Sequence, residues 1–243
     1  MRVFTSVLSP ADGAFIRTVR GLFHERRQGT MAITFYYAPM SSATRVTWAL
    51  EELGIPHEKV KIDIRSGEQK KPEFLTINPN GKVPALVDGD LKLFEALAIV
   101  YHLGERYGVD KGLWPAAGTD ARSEAYTWTA WGQNEVLIAA REFALHNPES
   151  AMPMAPPVEQ RVAQMAKGAR ESWDRLTGIL EARLAGRTHV LGEAFTFTDL
   201  MLASSVMFGT RMAGLPLTDR ERVAAWLPRC MGRPAFARTF SGA

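Results

Sequence analysis

Asn78-Pro79-Asn80-Gly81-Lys82-Val83-Pro84-Ala85-Leu86, followed by Leu93-Phe94-Glu95-Ala96-Leu97-Ala98-Ile99, is the stretch that decides the fold. Asn-Pro-Asn-Gly reads as a tight turn, and Val-Pro leads out of it into a strand. A proline at the start of a strand gives no N–H to the ladder, so Pro84 marks an edge position or a bend. With a cis Val83-Pro84 bond, the N–H and C=O of Val83 would point outward and pair with an extended backbone. With a trans bond the segment is a plain edge strand. Asp88-Gly89-Asp90 then closes a hairpin of 84–87 with 91–94, and a helix is expected from Glu95 to Tyr107.

Working backward, Phe35-Tyr36-Tyr37-Ala38-Pro39-Met40-Ser41-Ser42-Ala43-Thr44-Arg45-Val46 joins a strand over 32–37 to a helix over 44–53. Val46, Leu50 and Leu53 share one face of that helix, and Gly54 stops it. Residues 57–63 give a second strand parallel to the first. Gly67-Glu68-Gln69-Lys70-Lys71-Pro72-Glu73-Phe74 lies between this β-α-β unit and the hairpin. Taken in this order and at this spacing, these stretches resemble the glutathione transferase family, in particular its bacterial members with a serine near the first helix. The resemblance covers about residues 32–240 and is densest over 34–107.

Past a Gly/Pro-rich linker at 108–118, the pattern reads as helical throughout. Helices are expected over 119–146, 157–186, 198–213, 219–230 and 233–240. The fold class is therefore an α/β thioredoxin-like domain (31–107) followed by an all-α helical bundle (119–243), the arrangement of the family. Thr196-Phe197-Thr198-Asp199 has the form of a capping box, so Asp199 reads as a structural residue.

Composition is that of a globular protein, with 46% apolar and 23% charged residues. No apolar run has the ~18 residues of a membrane-spanning helix, so no membrane partner is expected. The single Cys230 excludes an internal disulfide and reads as a small core residue. Residues 1–30 hold five arginines against Asp12 and Glu25, which accounts for the net charge of +3 and leaves the remainder neutral. A pI of 9.1 is therefore no sign of a nucleic-acid surface, and no nucleic-acid partner is expected. These thirty residues precede a second methionine, Met31. They read as upstream sequence outside the native protein or as a disordered arm, with an Arg-rich targeting peptide as the third possibility.

The chemistry follows from the needs of a thiol. A free thiol near pKa ~8.5 is largely protonated at neutral pH and needs a hydrogen bond and a positive dipole to ionise. Ser41 and Ser42 stand just before the first helix, where a hydroxyl and the helix N-terminus could supply both. The resemblance favours Ser41, four residues before Arg45, as the activating hydroxyl. Ser42 aligns instead with the catalytic cysteine of another class, and either serine can be a simple helix cap. Tyr37 is the rival, since a phenol also stabilises a thiolate. Arg45 reads equally as a ligand or as a salt-bridge residue.

For the peptide, the resemblance implies that Gln69, Lys70 and Lys82 meet the glycyl carboxylate. Val83, ahead of Pro84, pairs with the cysteinyl backbone, and Glu95 accepts from the γ-glutamyl ammonium. Relatives place a hydroxyl residue after this acid. Here Ala96 removes that hydrogen bond, worth ~1.5–3 kcal/mol, and leaves only its N–H.

The resemblance also implies an electrophile pocket between the two domains, with Met40, Tyr126, Trp128, Trp131, Met207 and Arg211 as candidate walls. Gln133 and Glu135 are nearby polar residues on the helical side. The five histidines show no ligand spacing, and no metal is expected. The expected function is a cytoplasmic, homodimeric enzyme that conjugates glutathione, its co-substrate, to small apolar electrophiles. A glutathione-dependent disulfide or peroxide reductase is the first alternative. A non-catalytic ligand- or protein-binding scaffold is the second.

Overall fold

The computed structural model describes residues 33–153 and 155–240, so the reading of residues 1–30 lies outside it. The described chain divides into two compact units. One holds 33–43 and 56–95, the other 44–55 and 96–240.

The first unit is a four-stranded mixed sheet in the order β2-β1-β3-β4. Strand β1 (Ile33–Tyr37) pairs parallel with β2 (His57–Lys61) and antiparallel with β3 (Ala85–Asp88), which pairs with β4 (Leu91–Phe94). A parallel pair needs a crossover connection. The link from β1 to β2 contains helix α1 (Ala43–Leu53). The β3–β4 hairpin opposes Asp88 to Leu91 across Gly89-Asp90, and Gly89 takes the positive φ of 64° that such two-residue turns require.

Alternation along β1 and β3 puts Tyr36, Ala85 and Val87 on one face. There they bury against Ile62, Phe74 and Ile77, with Val60 and Val83 at the margin. Phe74 comes from a one-turn helix, α2 (Pro72–Leu75), and meets Tyr36 edge-on at 5.9 Å. Between β2 and β3 the chain thus makes a 3₁₀ turn (Glu68–Lys70) and α2 before the Asn78–Gly81 turn.

The second unit is helical. It contains α3 (Ala96–Leu103), α4 (Asp120–Trp131), α5 (Leu137–His146), α6 (Ala163–Arg183), α7 (Phe197–Met207), α8 (Glu221–Met231) and α9 (Pro234–Thr239). Helix α7 is buried from Phe197 through Val206, with its buried Asp199, Ser204 and Ser205 hydrogen-bonded within the protein. Its capping box is formed as expected, Thr196 and Asp199 bonding to each other's backbone N–H groups. Cys230 is buried with its thiol pushed far above the usual range by desolvation, in keeping with a core residue.

Two expectations are corrected. The run expected over 119–146 is helical from Asp120 to His146 but not uniformly α, with a π turn at Gly132–Val136, and those expected near 95–107 and 198–213 end in π turns at Gly104–Gly108 and Phe208–Met212. The glycines in these turns lie against bulky neighbours. A Cβ on Gly132 would lie 2.5 Å from Leu202, and one on Gly209 would lie 2.2 Å from the ring of Trp173. Glu95, expected as the first residue of a helix, is not helical. It sits between β4 and α3 with φ 70°, left-handed space that a non-glycine residue rarely occupies.

Gly209→Ala is accordingly expected to cost about 1–3 kcal/mol by overpacking. Trp173 is buried and held by a 2.9 Å bond from its Nε1 to the Pro216 carbonyl, so it cannot swing away. Chemical denaturation reads the change, and a midpoint equal to the parent's would refute it.

Candidate functional site

The Asn78–Gly81 turn is built from its own side chains. Asn78 Oδ1 accepts from the Asn80 N–H at 2.9 Å, the Gly81 N–H bonds back to the Asn78 carbonyl at 2.9 Å, and Asn78 Nδ2 donates to the Lys82 carbonyl at 2.5 Å. Asn78 is buried, which fixes the turn on the body of the unit. Gly81 has φ 59°, and a Cβ there would meet Lys70 Nζ at 2.9 Å and the Gln69 carbonyl at 3.0 Å. The 68–70 and 78–82 turns therefore pack directly together, and Lys70 Nζ reaches the Asn80 carbonyl at 3.4 Å.

The chain then enters Val83-Pro84, whose peptide bond is cis. The N–H of Val83 makes no hydrogen bond among the described residues, while its carbonyl accepts from Ser42 Oγ at 3.2 Å. Antiparallel pairing of Ala85 with Phe94 leaves Pro84 and Glu95 as the next residue on each strand. So Ser42, Lys70, Lys82, Val83, Pro84 and Glu95 belong to one neighbourhood of the first unit. Lys82 and Glu95 are exposed and have no ionic partner among the described residues. This neighbourhood offers a backbone donor, an exposed cation and an exposed carboxylate, each without a partner among the described residues. Ala96 follows Glu95 as the first, buried residue of α3.

Ser41 lies two residues before α1. Its hydroxyl donates to the Ala38 carbonyl at 2.7 Å and accepts from the Ala43 N–H at 3.2 Å. It therefore caps one of the first N–H groups of the helix and is polarised by it. Tyr37 is half-buried, stacked on Phe35 at 5.8 Å, with Lys59 Nζ 5.0 Å from its ring centre. Gln69 is turned inward. Its Nε2 donates to the Ile64 carbonyl at 3.1 Å, and its Oε1 is buried without a donor.

Arg45 departs from the salt-bridge expectation. It makes no salt bridge among the described residues. It is buried, and its Nη1 donates to Gln133 Oε1 at 2.7 Å. Desolvation, with repulsion from Arg141, lowers its pKa to about 10. Composition and spacing carry no signal for this burial.

Among the candidate wall residues, Met40 is 77% exposed. Trp128 packs edge-on to Trp131 at 5.3 Å beneath Arg183, and Tyr126 donates to Glu105. Glu135 sits 3.9 Å from Arg175. Arg211 is exposed on the 208–212 turn. Among the described residues no group of three or more His, Cys, Asp or Glu side chains could hold a metal. No described helix is long and apolar enough to cross a membrane.

Comparison with known proteins agrees with this geometry. Residues 31–105 match the family description "Glutathione S-transferase, N-terminal domain", and residues 137–234 match "Glutathione S-transferase, C-terminal domain". The chain is 32% identical over 203 residues to glutathione S-transferase GstB of Escherichia coli, covering 82% of this chain and 92% of the relative. Against glutathione S-transferase F10 of Arabidopsis thaliana it is 29% identical, covering 85% of this chain and 95% of the relative.

Among solved structures, a Pseudomonas fluorescens glutathione transferase family member with two glutathione molecules bound superposes with a TM-score of 0.77. It is 25% identical and covers 91% of this chain and 96% of its own. A Burkholderia graminis glutathione transferase, with two glutathione molecules per subunit, gives 0.77 at 25% identity and covers 98% of this chain and 97% of its own. The mixed sheet with its Val-Pro corner, the helical unit after it and both family matches agree: the chain belongs to the glutathione S-transferase family.

Proposed function

We propose that the chain binds glutathione on its first unit and delivers the thiolate to a small apolar electrophile. The observation that carries this reading is the uncommitted N–H of Val83 in one neighbourhood with the exposed charges of Lys82 and Glu95. A tripeptide with an ammonium at one end, a carboxylate at the other and an amide between them complements that arrangement. Bound glutathione in the Pseudomonas and Burkholderia structures supports it.

In this reading Val83 pairs with the cysteinyl backbone beside Pro84, Lys82 and Lys70 meet the glycyl carboxylate, and Glu95 accepts from the ammonium. Gln69 contributes through its turn. The Ser41 hydroxyl, strengthened as a donor by the Ala43 N–H, turns its one hydrogen from the Ala38 carbonyl to the sulfur and stabilises the thiolate with the N-terminus of α1. Ser42 braces the Val83 carbonyl, and Tyr37 stays with Phe35. Residues 31–107 form the glutathione-binding domain, 108–118 the linker and 119–243 the helical domain. The working form is a cytoplasmic homodimer.

Calorimetric titration with glutathione tests the reading directly. Binding in the micromolar-to-millimolar range is expected, and none up to ~10 mM, beyond the ~1 mM that corresponds to −4.1 kcal/mol, would defeat it. Glu95→Gln should weaken binding by about tenfold, as expected for a lost charge-assisted hydrogen bond. Ala96→Ser should tighten it by up to about tenfold, by restoring a hydroxyl for the γ-glutamyl carboxylate. Unaltered affinity in both variants would place the peptide elsewhere.

The two glutathione molecules in each of those neighbours favour a second reading, reduction of a disulfide or peroxide at the expense of two thiols. Turnover of a small disulfide without turnover of an aryl halide would select it. Ala96 favours the scaffold reading, which predicts an intact fold with no affinity for glutathione.

A further inference from the structure

Arg45 is 8% exposed, yet the acceptor its guanidinium meets among the described residues is a neutral amide, Gln133 Oε1 at 2.7 Å. Buried charges are ordinarily met by an opposite charge, because desolvation is otherwise uncompensated. The charge that acts on Arg45 is instead a like one, Arg141. Arg141 is exposed and makes no hydrogen bond or ion pair among the described residues. Gln133 and Arg141 lie on one run of helical backbone, the Gly132–Val136 turn and α5. About two turns separate them, which puts them on the same side, and a helical side chain leans toward the N-terminus, bringing Arg141 back toward Gln133. The acids of this run are engaged elsewhere: Glu135 lies 3.9 Å from Arg175, and Glu142 lies 3.7 Å from His146. Arg45 and Gln133 are thus in contact, Arg141 lies near enough to repel Arg45, and no anion pairs with either arginine among the described residues.

We propose that Arg45, Gln133 and Arg141 form a carboxylate-binding site for the second substrate. Gln133 Oε1 fixes the buried guanidinium so that its remaining N–H groups stay available, and Arg141 closes on the anion from the open side. Arg45 follows Ser41 by four residues in the chain, which is why the acid group is assigned to the second substrate. The inference rests on the glutathione reading and narrows it: the preferred electrophile carries an acid group as well as an apolar body. The carboxylate of a second glutathione shares this chemistry.

The test is equilibrium binding by the full chain, with S-methylglutathione present as an unreactive occupant. Chloronitrobenzoate and the matching chloronitrobenzamide are titrated side by side, so the carboxylate is the only difference. The parent protein should favour the acid by about tenfold to hundredfold, the range for a charge-assisted contact. In Arg141→Gln the ratio should fall toward one. In Gln133→Glu, where an internal carboxylate neutralises Arg45, it should fall as well. Equal affinities in the parent, or a ratio preserved in both variants, overturns the proposal. Arg141→Gln lies on the surface and keeps the test open if Gln133→Glu fails to fold.

A separate titration with S-methylglutathione alone reports on the glutathione site, so failure there is distinguishable from failure here. A second equivalent of glutathione that binds the parent and is lost in Arg141→Gln would assign the acid group to a thiol peptide. A single equivalent, with the acid preference intact, would assign it to the electrophile.

Discussion

Asp199→Ala is expected to lower unfolding free energy by about 3–5 kcal/mol, the range for stripping one partner from a buried charged network. The carboxylate is fully buried. Its Oδ1 accepts from the Val190 N–H at 2.8 Å and from Trp226 Nε1 at 2.9 Å, and its Oδ2 from the Thr196 N–H at 3.0 Å and the Thr196 hydroxyl at 3.2 Å. Alanine would orphan all of these donors where no solvent reaches them. It would also remove a negative charge from the N-terminus of α7. For a chain of this size each kcal/mol moves the thermal midpoint by about 2–4 °C, so the shift is easily measured. Asp199→Asn, which keeps one acceptor oxygen, should fall between. A shift of less than about 2 °C for the alanine variant would contradict the account.

The second large effect is on rate. Ser41→Ala should lower kcat/KM by about tenfold to hundredfold near neutral pH. Loss of a hydrogen bond to a charged sulfur is worth about 1.5–3 kcal/mol, which raises the thiol pKa by about one to two units. The sign is definite: the variant has less thiolate at neutral pH, its rate climbs as pH rises, and its profile is displaced to higher pH. Glutathione affinity should change far less than the rate, because Val83, Lys82 and Glu95 are untouched. A smaller loss is expected for Ser42→Ala, which removes the brace on the Val83 carbonyl, and for Tyr37→Phe. A uniformly lower profile with an unmoved midpoint would mean that Ser41 positions the peptide without ionising it. A larger loss in Tyr37→Phe would transfer the role to the phenol.

Much of this was readable from residues alone, wherever the signal was local. Asp88-Gly89-Asp90 announces its hairpin, and Thr196 with Asp199 announces the start of α7. Buried Cys230 behaves as a lone apolar cysteine should. Non-local constraints were silent. Val83-Pro84 could be read as cis or trans, because the dipeptide permits both. Glu95 looked like a helical residue because acids favour the first turn, whereas the turn out of β4 holds it left-handed. Leu202 and Trp173 pack against Gly132 and Gly209 within the π turns, contacts between distant segments that local pattern does not announce. Arg45 read equally as a ligand or as a salt-bridge residue, since nothing in a sequence tells an arginine that its neighbour in space is Gln133.

The assignment of residues 44–55 to the second unit bears on how halves of such proteins could be exchanged. Trp48 meets Phe236 at 4.8 Å, Glu52 takes two 2.7 Å bonds from Arg233, and Glu51 takes one of 3.0 Å from Arg238. A chimera joined in the 108–118 segment would bring a foreign α1 to this protein's C-terminal helices and part those carboxylates from their arginines. Interchangeable halves would have to be bred with Glu51 and Glu52 travelling alongside Arg233 and Arg238, so the unit of inheritance is not the unit that the linker marks out.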